Sequence, residues 1–308
     1  MKIKILPIIF LLYACSNNNK TTDDHIGNFD ISPDDNWILF SYYKNGSASL
    51  YTIDIDGKRL TKIIKSDQGK MYMNPRFSSD GKSMLFIKYL NSKFEKSTLC
   101  ISKIDGTEVR ELTDGSEIIT EAIFSKDGKE ILYCKAREYA SHSPIGVKNA
   151  HNFDVYSINI FSKQERRLTN LDAYKVNSIS EIDTTYVLLY IYADENSGMY
   201  SFEKRNPSLM KKIVPVNIPR EENLFSNPAY SSSGIMVFTA PYELYSMRLE
   251  DRKAKLIYDS KGDSPIQTIR LFKTKPLVIF KKESDNSRLI LVSISGDDIK
   301  VVNINIED

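Results

Sequence analysis

The sequence has little of what enzymes most often use for catalysis or metal binding. It contains three histidines, three cysteines and one tryptophan in 308 residues. It has no Gly-x-Ser-x-Gly nucleophile elbow, no phosphate-binding Walker loop and no dinucleotide-binding glycine pattern. These absences exclude the common serine-hydrolase and nucleotide-dependent classes. We therefore expect a protein that is not an enzyme, with no catalytic residue set and no cofactor.

A surplus of charge of either sign is also missing. Forty-two Lys and Arg residues are balanced by 40 Asp and Glu residues, which leaves a formal net charge of +2. Proteins that bind nucleic acid usually carry a strongly basic surface, because they must neutralise phosphates. We therefore expect no nucleic-acid partner.

Long hydrophobic runs are absent except at the start of the chain. Lys2 and Lys4 precede an apolar stretch over residues 5–12, and Ala14 and Cys15 follow it. The stretch is too short for a retained transmembrane helix. A small residue directly before a cysteine, after such a stretch, is typical of a lipoprotein signal peptide. The sequence therefore predicts cleavage before Cys15 and lipidation of its thiol.

This signal divides the chain into three parts. We expect residues 1–14 to be a signal peptide, residues 15–28 to be a solvated, lipidated tether, and residues 29–308 to be one folded domain. Two or three acyl chains would hold the protein stably on a membrane. The expected location is the bacterial cell envelope, with the lipid anchor in the outer membrane.

An internal repeat organises the rest of the chain. Each copy has the pattern of a strand, a tight polar turn and a second strand. Ser-x-Asp-Gly forms the turn at 78–81 and 125–128, where the Asp side chain closes the turn and the Gly accepts positive φ. The first copy has Asp35 in place of the Gly, and the fourth has Ser233 in place of the Asp. The copies cover residues 29–40, 75–86, 122–133 and 228–238.

Two further strand signals follow each copy, and the first three units end in a Leu-Thr pair at 60–61, 112–113 and 168–169. Two degenerate units, 176–215 and 266–306, lack the turn signature. Units of four strands and roughly 40 to 50 residues are typical of propeller blades. An extended solenoid is the alternative, but ring closure would remove exposed sheet edges. The pattern predicts an all-β, six-bladed β-propeller with four antiparallel strands per blade.

An aromatic residue lies at or near the start of the polar turn in each of the four copies. These residues are Phe29, Phe77, Phe124 and Tyr230, and Phe29 lies two residues earlier in its copy than the others. We expect all four on the first strand of their units, where they would fill the layer between neighbouring blades. Truncating a side chain in such a layer costs about 3 to 5 kcal/mol.

The repeat resembles the WD-like repeat of TolB-type propellers over about residues 29 to 306. The resemblance rests on the recurring Ser-x-Asp-Gly turn and on the closing Leu-Thr pairs. It implies a TolB-like propeller fold and a non-catalytic module that binds a protein, peptide or glycan of the envelope. The alternative is a propeller hydrolase or lyase acting on envelope peptides or polysaccharides, since a fold alone does not fix function.

The strand order assigns the loops to two faces. The first-to-second and third-to-fourth turns lie on one face, and the second-to-third loops and blade crossovers lie on the other. The longest predicted loop runs from residue 135 to residue 152 on this second face. Long loops on a rigid scaffold often carry binding residues. The candidate binding residues are Arg137, Tyr139, His142 and His151, and Arg137 could hold a carboxylate in a two-pronged bond.

The remaining candidates for metal or redox chemistry are weak. His142 and His151 are the only histidines outside the tether and share one loop, so we expect no metal site. The acidic turns offer only one or two carboxylates each, too few for calcium. Cys100 and Cys134 are either a disulfide, which an oxidising envelope permits, or two buried free thiols, and the size of the core favours the thiols.

Overall fold

The computed structural model describes residues 24–67, 69–90, 94–141, 146–219 and 224–306. Within these ranges the chain is built from 24 β-strands and one 3-10 turn at Asp194–Asn196. The first twelve strands are β1 (His25–Ile31), β2 (Trp37–Lys44), β3 (Ser47–Asp54), β4 (Thr61–Ile64), β5 (Met71–Phe77), β6 (Ser83–Tyr89), β7 (Ser97–Lys103), β8 (Arg110–Glu111), β9 (Ile118–Phe124), β10 (Glu130–Ala140), β11 (Asn149–Asn159) and β12 (Glu165–Arg167). The others are β13 (Lys175–Glu181), β14 (Tyr186–Tyr192), β15 (Gly198–Glu203), β16 (Asn206–Ile213), β17 (Ser226–Tyr230), β18 (Ile235–Ala240), β19 (Glu243–Arg248), β20 (Ala254–Asp259), β21 (Ile266–Leu271), β22 (Leu277–Lys282), β23 (Arg288–Ser293) and β24 (Ile299–Asn303).

These strands form four sheets of four strands and one sheet of eight. Each four-stranded sheet is antiparallel and uses consecutive strands, as a propeller blade does. The eight-stranded sheet holds β1 to β4 and β5 to β8, which are joined by one parallel pairing between Ala48 and Met71. The expectation of antiparallel four-stranded units in a propeller arrangement is confirmed. Six separate sheets are not seen, because this single bridge merges the first eight strands.

The six first strands, called here the inner strands, lie side by side around an axis. They are β1, β5, β9, β13, β17 and β21, and each contacts the next one in the series. The last inner strand, β21, also contacts the first, β1. The chain is therefore closed on itself, which leaves neither end of the series of sheets uncovered.

Asp35 joins the first unit to the last across this closure. Its fully buried carboxylate accepts hydrogen bonds from the amides of Lys273 (2.6 Å), Thr274 (2.8 Å) and Lys275 (3.0 Å). The hydroxyl of Thr274 donates a further bond of 2.6 Å. Asp35 has a φ of 60°, so it adopts the backbone conformation of the Gly that it replaces in the repeat. The departure from the repeat supplies a carboxylate at the place where the ring closes.

The turn between the third and fourth strands of a unit contacts the neighbouring unit, and the same contact occurs where the ring closes. The turn between β7 and β8 leaves no room for a side chain at Gly106, because the carbonyl group of Ile63 on β4 lies against it. A Cβ at Gly57, in the equivalent turn of the first unit, would lie 3.2 Å from the carbonyl oxygen of Asn303 on β24. The first unit therefore packs on the last as the second packs on the first.

The four predicted aromatic residues all lie on inner strands, as expected. Only Phe29 is fully buried, whereas Phe77, Phe124 and Tyr230 are half-buried. Phe29 lies two residues earlier in its repeat, and Ile31 takes the position that corresponds to Phe77 in the strand pairing. All four nevertheless belong to or pack against apolar clusters that join neighbouring units, as expected for the layer between blades, although only Phe29 is fully buried.

The folded domain begins earlier than residue 29. Strand β1 starts at His25, and Ile26 is fully buried, with its amide donating a 2.8 Å hydrogen bond to the carbonyl of Asn286 in the last unit. The end of the predicted tether is therefore part of the domain. Cys15 and the predicted signal peptide lie outside the described residues. None of the residues that the structure describes forms a helix long and apolar enough to cross a membrane.

Candidate binding site

The predicted long loop over residues 135–152 is mostly a β-hairpin. Strands β10 and β11 have 11 residues each, and their pairing extends to Tyr139 with Ala150 and to Ala140 with Asn149. We refer to residues 137–152 as the hairpin extension. The prediction of a loop here is wrong. The Gly, Pro and polar residues of this segment indicate a loop, but pairing between the two strands satisfies its backbone hydrogen bonds.

The candidate residues lie on this extension, except for one that the structure does not describe. Arg137 and Tyr139 are on β10, and His151 is on β11 opposite Glu138. Tyr139 is half-buried and packs against the apolar cluster that includes Phe153. His142 lies outside the described residues. Arg137, Tyr139 and His151 therefore lie on one hairpin, but His151, which pairs with Glu138, is on the opposite side of the ladder from Tyr139.

Arg137 is already engaged by carboxylates of its own chain. It forms an ion pair with Asp172, and its Nε lies 3.7 Å from Oδ2 of Asp154. Asp154 is fully buried and also accepts bonds from Arg167 (2.5 Å) and the hydroxyl of Thr169 (2.9 Å). These contacts fix the start of the crossover that leads to β13. The expected two-pronged bond from Arg137 to a ligand carboxylate would have to displace Asp172.

A groove of about 640 Å³ lies next to the hairpin extension. It is lined by Asp172 and Tyr174, which belong to the crossover before β13, and by residues 193–196, which link β14 to β15. The rings of Tyr174 and Tyr192 lie 6.1 Å apart at this place, and both side chains are about half exposed. We refer to this feature as the hairpin groove. Its walls are therefore the crossover before β13 and the 3-10 turn between β14 and β15.

The chemistry of the hairpin groove is acidic and aromatic. Asp172, Asp194 and Glu195 contribute carboxylates to its lining. Exposed tyrosine rings offer a flat contact area at a low cost in side-chain entropy. A partner with cationic or hydrogen-bond-donating groups would match this surface. The sequence did not single out Tyr174 and Tyr192, because only tertiary packing brings their two chain segments together.

The turns on the opposite face use their polar side chains internally. In the second unit, the hydroxyl of Ser78 donates to Asp80 (2.6 Å), and Asp80 accepts from the amide of Lys82 (3.1 Å). The bond from Ser78, followed by the one from Lys82, lowers the pKa of Asp80 below its ordinary value. The carboxylates of these turns therefore stabilise the turns and offer little free surface.

The described residues contain no cluster of three or more His, Cys, Asp or Glu side chains arranged to hold a metal ion. Cys100 and Cys134 are both buried as free thiols, without a bond between them. Burial raises the pKa of Cys100 to about 12 and raises that of Cys134 well above its ordinary value. Thiols of this kind are unreactive, so neither cysteine contributes to the site.

The nearest approach to a catalytic set lies at the base of the hairpin extension. Nζ of Lys135 lies 2.7 Å from Oε1 of Glu117 and 2.7 Å from Oε1 of Glu165, and it stacks 4.1 Å above the ring of Tyr156. Burial raises the pKa of Glu117, while that of Glu165 is lowered by Lys135 and Tyr133 in spite of burial. The lysine bridges the two carboxylates and so holds the start of β9, β10 and β12 together.

Comparisons with known proteins show the fold of the chain. Across 93% of its length it is similar to the crystal structure of TolB from Acinetobacter baumannii, with a TM-score of 0.67 and 13% identity. The alignment spans 65% of that TolB chain. An oligogalacturonate lyase from Vibrio parahaemolyticus has a TM-score of 0.59 at 11% identity, over 93% of this chain and 81% of the lyase. The chain thus has a TolB-like β-propeller fold.

Comparisons of the sequence alone reveal less about the chain than comparisons of the structure do. No protein family model matches the chain. An uncharacterized protein from Agrobacterium fabrum is 26% identical over 114 residues, which cover 34% of this chain and 38% of that protein. The chain therefore matches well under half of the length of this curated relative.

Proposed function

We propose that the protein is a lipid-anchored envelope lipoprotein whose propeller is a non-catalytic module that binds a protein, peptide or glycan. The binding surface is the hairpin extension together with the hairpin groove. The observation that carries this proposal is the groove itself, where half-exposed Tyr174 and three carboxylates meet next to the hairpin extension, with the ring of Tyr192 6.1 Å from that of Tyr174. The TolB-like fold supports a binding role, and Cys15 supports the anchor through its sequence context.

We also propose that the propeller has six blades, with β1 to β4 and β5 to β8 as separate blades. One parallel pairing between Ala48 and Met71 is a weak link compared with the antiparallel ladders on each side of it. The closed series of six inner strands supports this count. An experimental structure with another number of blades around the axis would contradict it.

The experiment that tests the binding surface removes the hairpin extension. Residues 138–151 are replaced by Asn-Gly, which forms a two-residue turn between Arg137 and Asn152 on the existing ladder. We expect in-cell crosslinking to yield the partner adduct of the wild type and to lose most of it in this variant. A control variant, Asp80→Ala with Asp105→Ala, alters the opposite face and should retain the adduct.

Two outcomes would count against the proposal. If the shortened protein remains folded and captures its partner as well as the wild type, while the control variant fails, the binding surface is on the other face. If the purified protein turns over envelope peptides or polysaccharides, the propeller is the hydrolase or lyase that the sequence left as the alternative.

A further inference from the structure

The residues that line the hairpin groove carry negative charge and no positive charge. Asp172, Asp194 and Glu195 line it, and none of the described lining residues is a lysine or an arginine. Asp194 and Glu195 are exposed, and neither side chain forms an ion pair or a hydrogen bond within the described part of the chain. Both carboxylates are therefore open to a cation from outside the chain.

One wall of the groove already holds cations of the chain itself. The guanidinium groups of Arg137 and Arg167 both pair with Oδ1 of Asp172, the second at 3.4 Å. Oδ2 of Asp172 accepts no bond from the described residues, and this side chain is 51% exposed. A positive group against Asp172 is thus chemistry that the groove already accommodates, and one carboxylate oxygen is left for an incoming group.

Tyr174 and Tyr192 provide a second attraction for a cation. Their rings lie 6.1 Å apart with 51° between their planes, and both side chains are about half exposed. Elsewhere in the chain lysines lie over tyrosine rings, as Nζ of Lys135 does 4.1 Å from the ring centre of Tyr156. No lysine or arginine among the described residues lies over Tyr174 or Tyr192. The exposed parts of these rings are therefore available to a cation, which is attracted within about 6 Å.

The size of the groove favours a segment of protein over a single ion. Its volume of about 640 Å³ lies within the range of about 300 to 1,000 Å³ that is typical of pockets for whole organic ligands. One water occupies about 30 Å³, so an ion with its hydration shell would fill only part of the groove. A lysine or arginine side chain, together with the residues on either side of it, matches both the volume and the charge.

We propose that the hairpin groove binds a basic segment of a partner protein, whose lysine or arginine side chain lies between the two tyrosine rings and the three carboxylates. This inference rests on the proposed function, and it names the chemistry of the partner at the same surface. An acidic segment would face like charges in the groove, which disfavours it. A neutral segment would stack on the rings but leave the carboxylates without a partner.

The test uses the purified protein and three acetylated pentapeptides that differ only in having lysine, glutamine or glutamate at their second and fourth positions. In titration calorimetry at low salt, the lysine peptide should bind, the glutamine peptide should bind at least about tenfold more weakly, and the glutamate peptide should not bind measurably. Raising the ionic strength to about 0.5 M should weaken binding of the lysine peptide several-fold, because exposed charges are screened. Equal affinities for the lysine and glutamine peptides would overturn the proposal.

A double variant, Asp194→Asn with Glu195→Gln, removes two charges from the groove and keeps the size of both side chains. Asn accepts the positive φ of 48° at position 194, so the turn is retained. This variant should bind the lysine peptide about tenfold more weakly. The matched control, Asp297→Asn with Asp298→Asn, makes the same change in net charge at two exposed residues between β23 and β24, on the opposite face. It should bind the lysine peptide as the wild type does.

The contribution of the rings is tested by Tyr192→Leu, which keeps an apolar side chain but removes the aromatic face. This variant should bind the lysine peptide about threefold more weakly. The proposal is overturned if the double variant binds the lysine peptide as tightly as the wild type, or if the control loses as much affinity as the double variant. It is also overturned if spermidine binds and the lysine peptide does not, since the groove would then take a small polyamine.

Failure of this inference can be told apart from failure of the proposed function. If shortening the hairpin abolishes the crosslinked adduct while the three peptides bind equally well, the proposed function stands and this inference alone is wrong. If the shortened protein keeps the adduct while the control of that experiment loses it, the proposed function fails, and with it the partner named here, whatever the affinities of the peptides.

Discussion

At the scale of single residues, Asp35 is a departure from the repeat that has a structural reason. A Gly in this position would keep the turn, but it would not provide acceptors for Lys273, Thr274 and Lys275. We predict that Asp35→Asn lowers the free energy of unfolding by about 2 to 3 kcal/mol at pH 7, since hydrogen bonds to a buried charged group are lost. Chemical denaturation measures the change. Asp34→Asn, in the exposed part of the same turn, is the control and should cost less.

The Asp35 contacts also make the stability depend on pH. Burial acts to raise the pKa of Asp35, but the bonds from Thr274, Lys273 and Lys275 outweigh it and hold the pKa below its ordinary value of 3.8. A carboxyl group whose pKa is lowered by folding stabilises the protein above its unfolded pKa, and this contribution is lost as the pH falls through the folded pKa. The wild type and Asp35→Asn should therefore converge in stability below about pH 4. A difference that stays constant from pH 7 to pH 3 would contradict this assignment.

Two phenylalanines with similar places in the repeat differ in how deeply they are buried. Phe29 is fully buried between the first and last units, whereas Phe77 is half-buried. We predict that Phe29→Ala costs about 3 to 5 kcal/mol in the free energy of unfolding, as other large core truncations do. Phe77→Ala should cost less than about 2 kcal/mol, because part of its ring stays in water in the folded state. Equal denaturation midpoints for the two variants would show that the burial assignment is wrong.

The candidate site could be predicted only in part at this scale. Arg137, Tyr139 and His151 follow from the length and composition of one segment, and the structure places them on one hairpin, with His151 on the opposite side of the ladder from Tyr139. That Asp172 engages Arg137 could not be predicted, because Asp172 lies on the crossover before β13, whose path depends on tertiary packing. Tyr174 and Tyr192 were missed for the same reason, since only tertiary packing brings the crossover before β13 close to the end of β14.

At the scale of elements, the polar turns and alternating strands were predictable because they depend on local chemistry. The turn at 78–81 has the Ser, Asp and Gly contacts that its sequence indicates. The hairpin extension was not predictable, because pairing between residues 136–140 and 149–153 depends on a partner strand rather than on propensity. Gly and Pro in the intervening segment favour a loop locally, and the ladder overrides that preference up to Ala140.

The outermost strands differ greatly in length, and this should be visible in hydrogen exchange. Strand β8 has two residues and β12 has three, and all five are exposed. Inner strands such as β9 are covered on both sides by neighbouring units. We predict that amides of β8 and β12 exchange orders of magnitude faster than those of β9, because local opening there breaks few contacts. Mass spectrometry of exchanged peptides measures this. Protection of β8 equal to that of β9 would contradict the prediction.

At the scale of the whole molecule, the sequence predicted the all-β class and the propeller arrangement, because a repeat of four strands can bury its faces only against further copies. The merging of the first eight strands into one sheet was not predictable. It depends on one backbone pairing, between Ala48 and Met71, that no side-chain pattern encodes. The repeat predicted that the first and last units would meet to close the ring. It did not predict which residues form that contact.

The predicted lipid anchor at Cys15 concerns the molecule as a whole. Cys15→Ala removes the thiol that would accept the lipid, so the variant should no longer incorporate labelled fatty acid and should leave the membrane fraction. Immunoblotting of fractionated cells and labelling with a fatty-acid analogue measure both effects. Cys100→Ala, at a buried thiol of the propeller, is the matched control and should remain lipidated. Continued fatty-acid incorporation by Cys15→Ala would show that the lipoprotein interpretation is wrong.

The closure through Asp35 has a consequence for the order in which the molecule is made. Its partners lie 238 to 240 residues further along the chain, so the first unit to be synthesised is the last to be completed. Until Lys273 to Lys275 are available, the apolar face of the first unit has no cover from its final neighbour. Contacts of such long range form slowly, and uncovered apolar surface invites aggregation. The nascent protein should therefore depend on a holding chaperone for most of its synthesis.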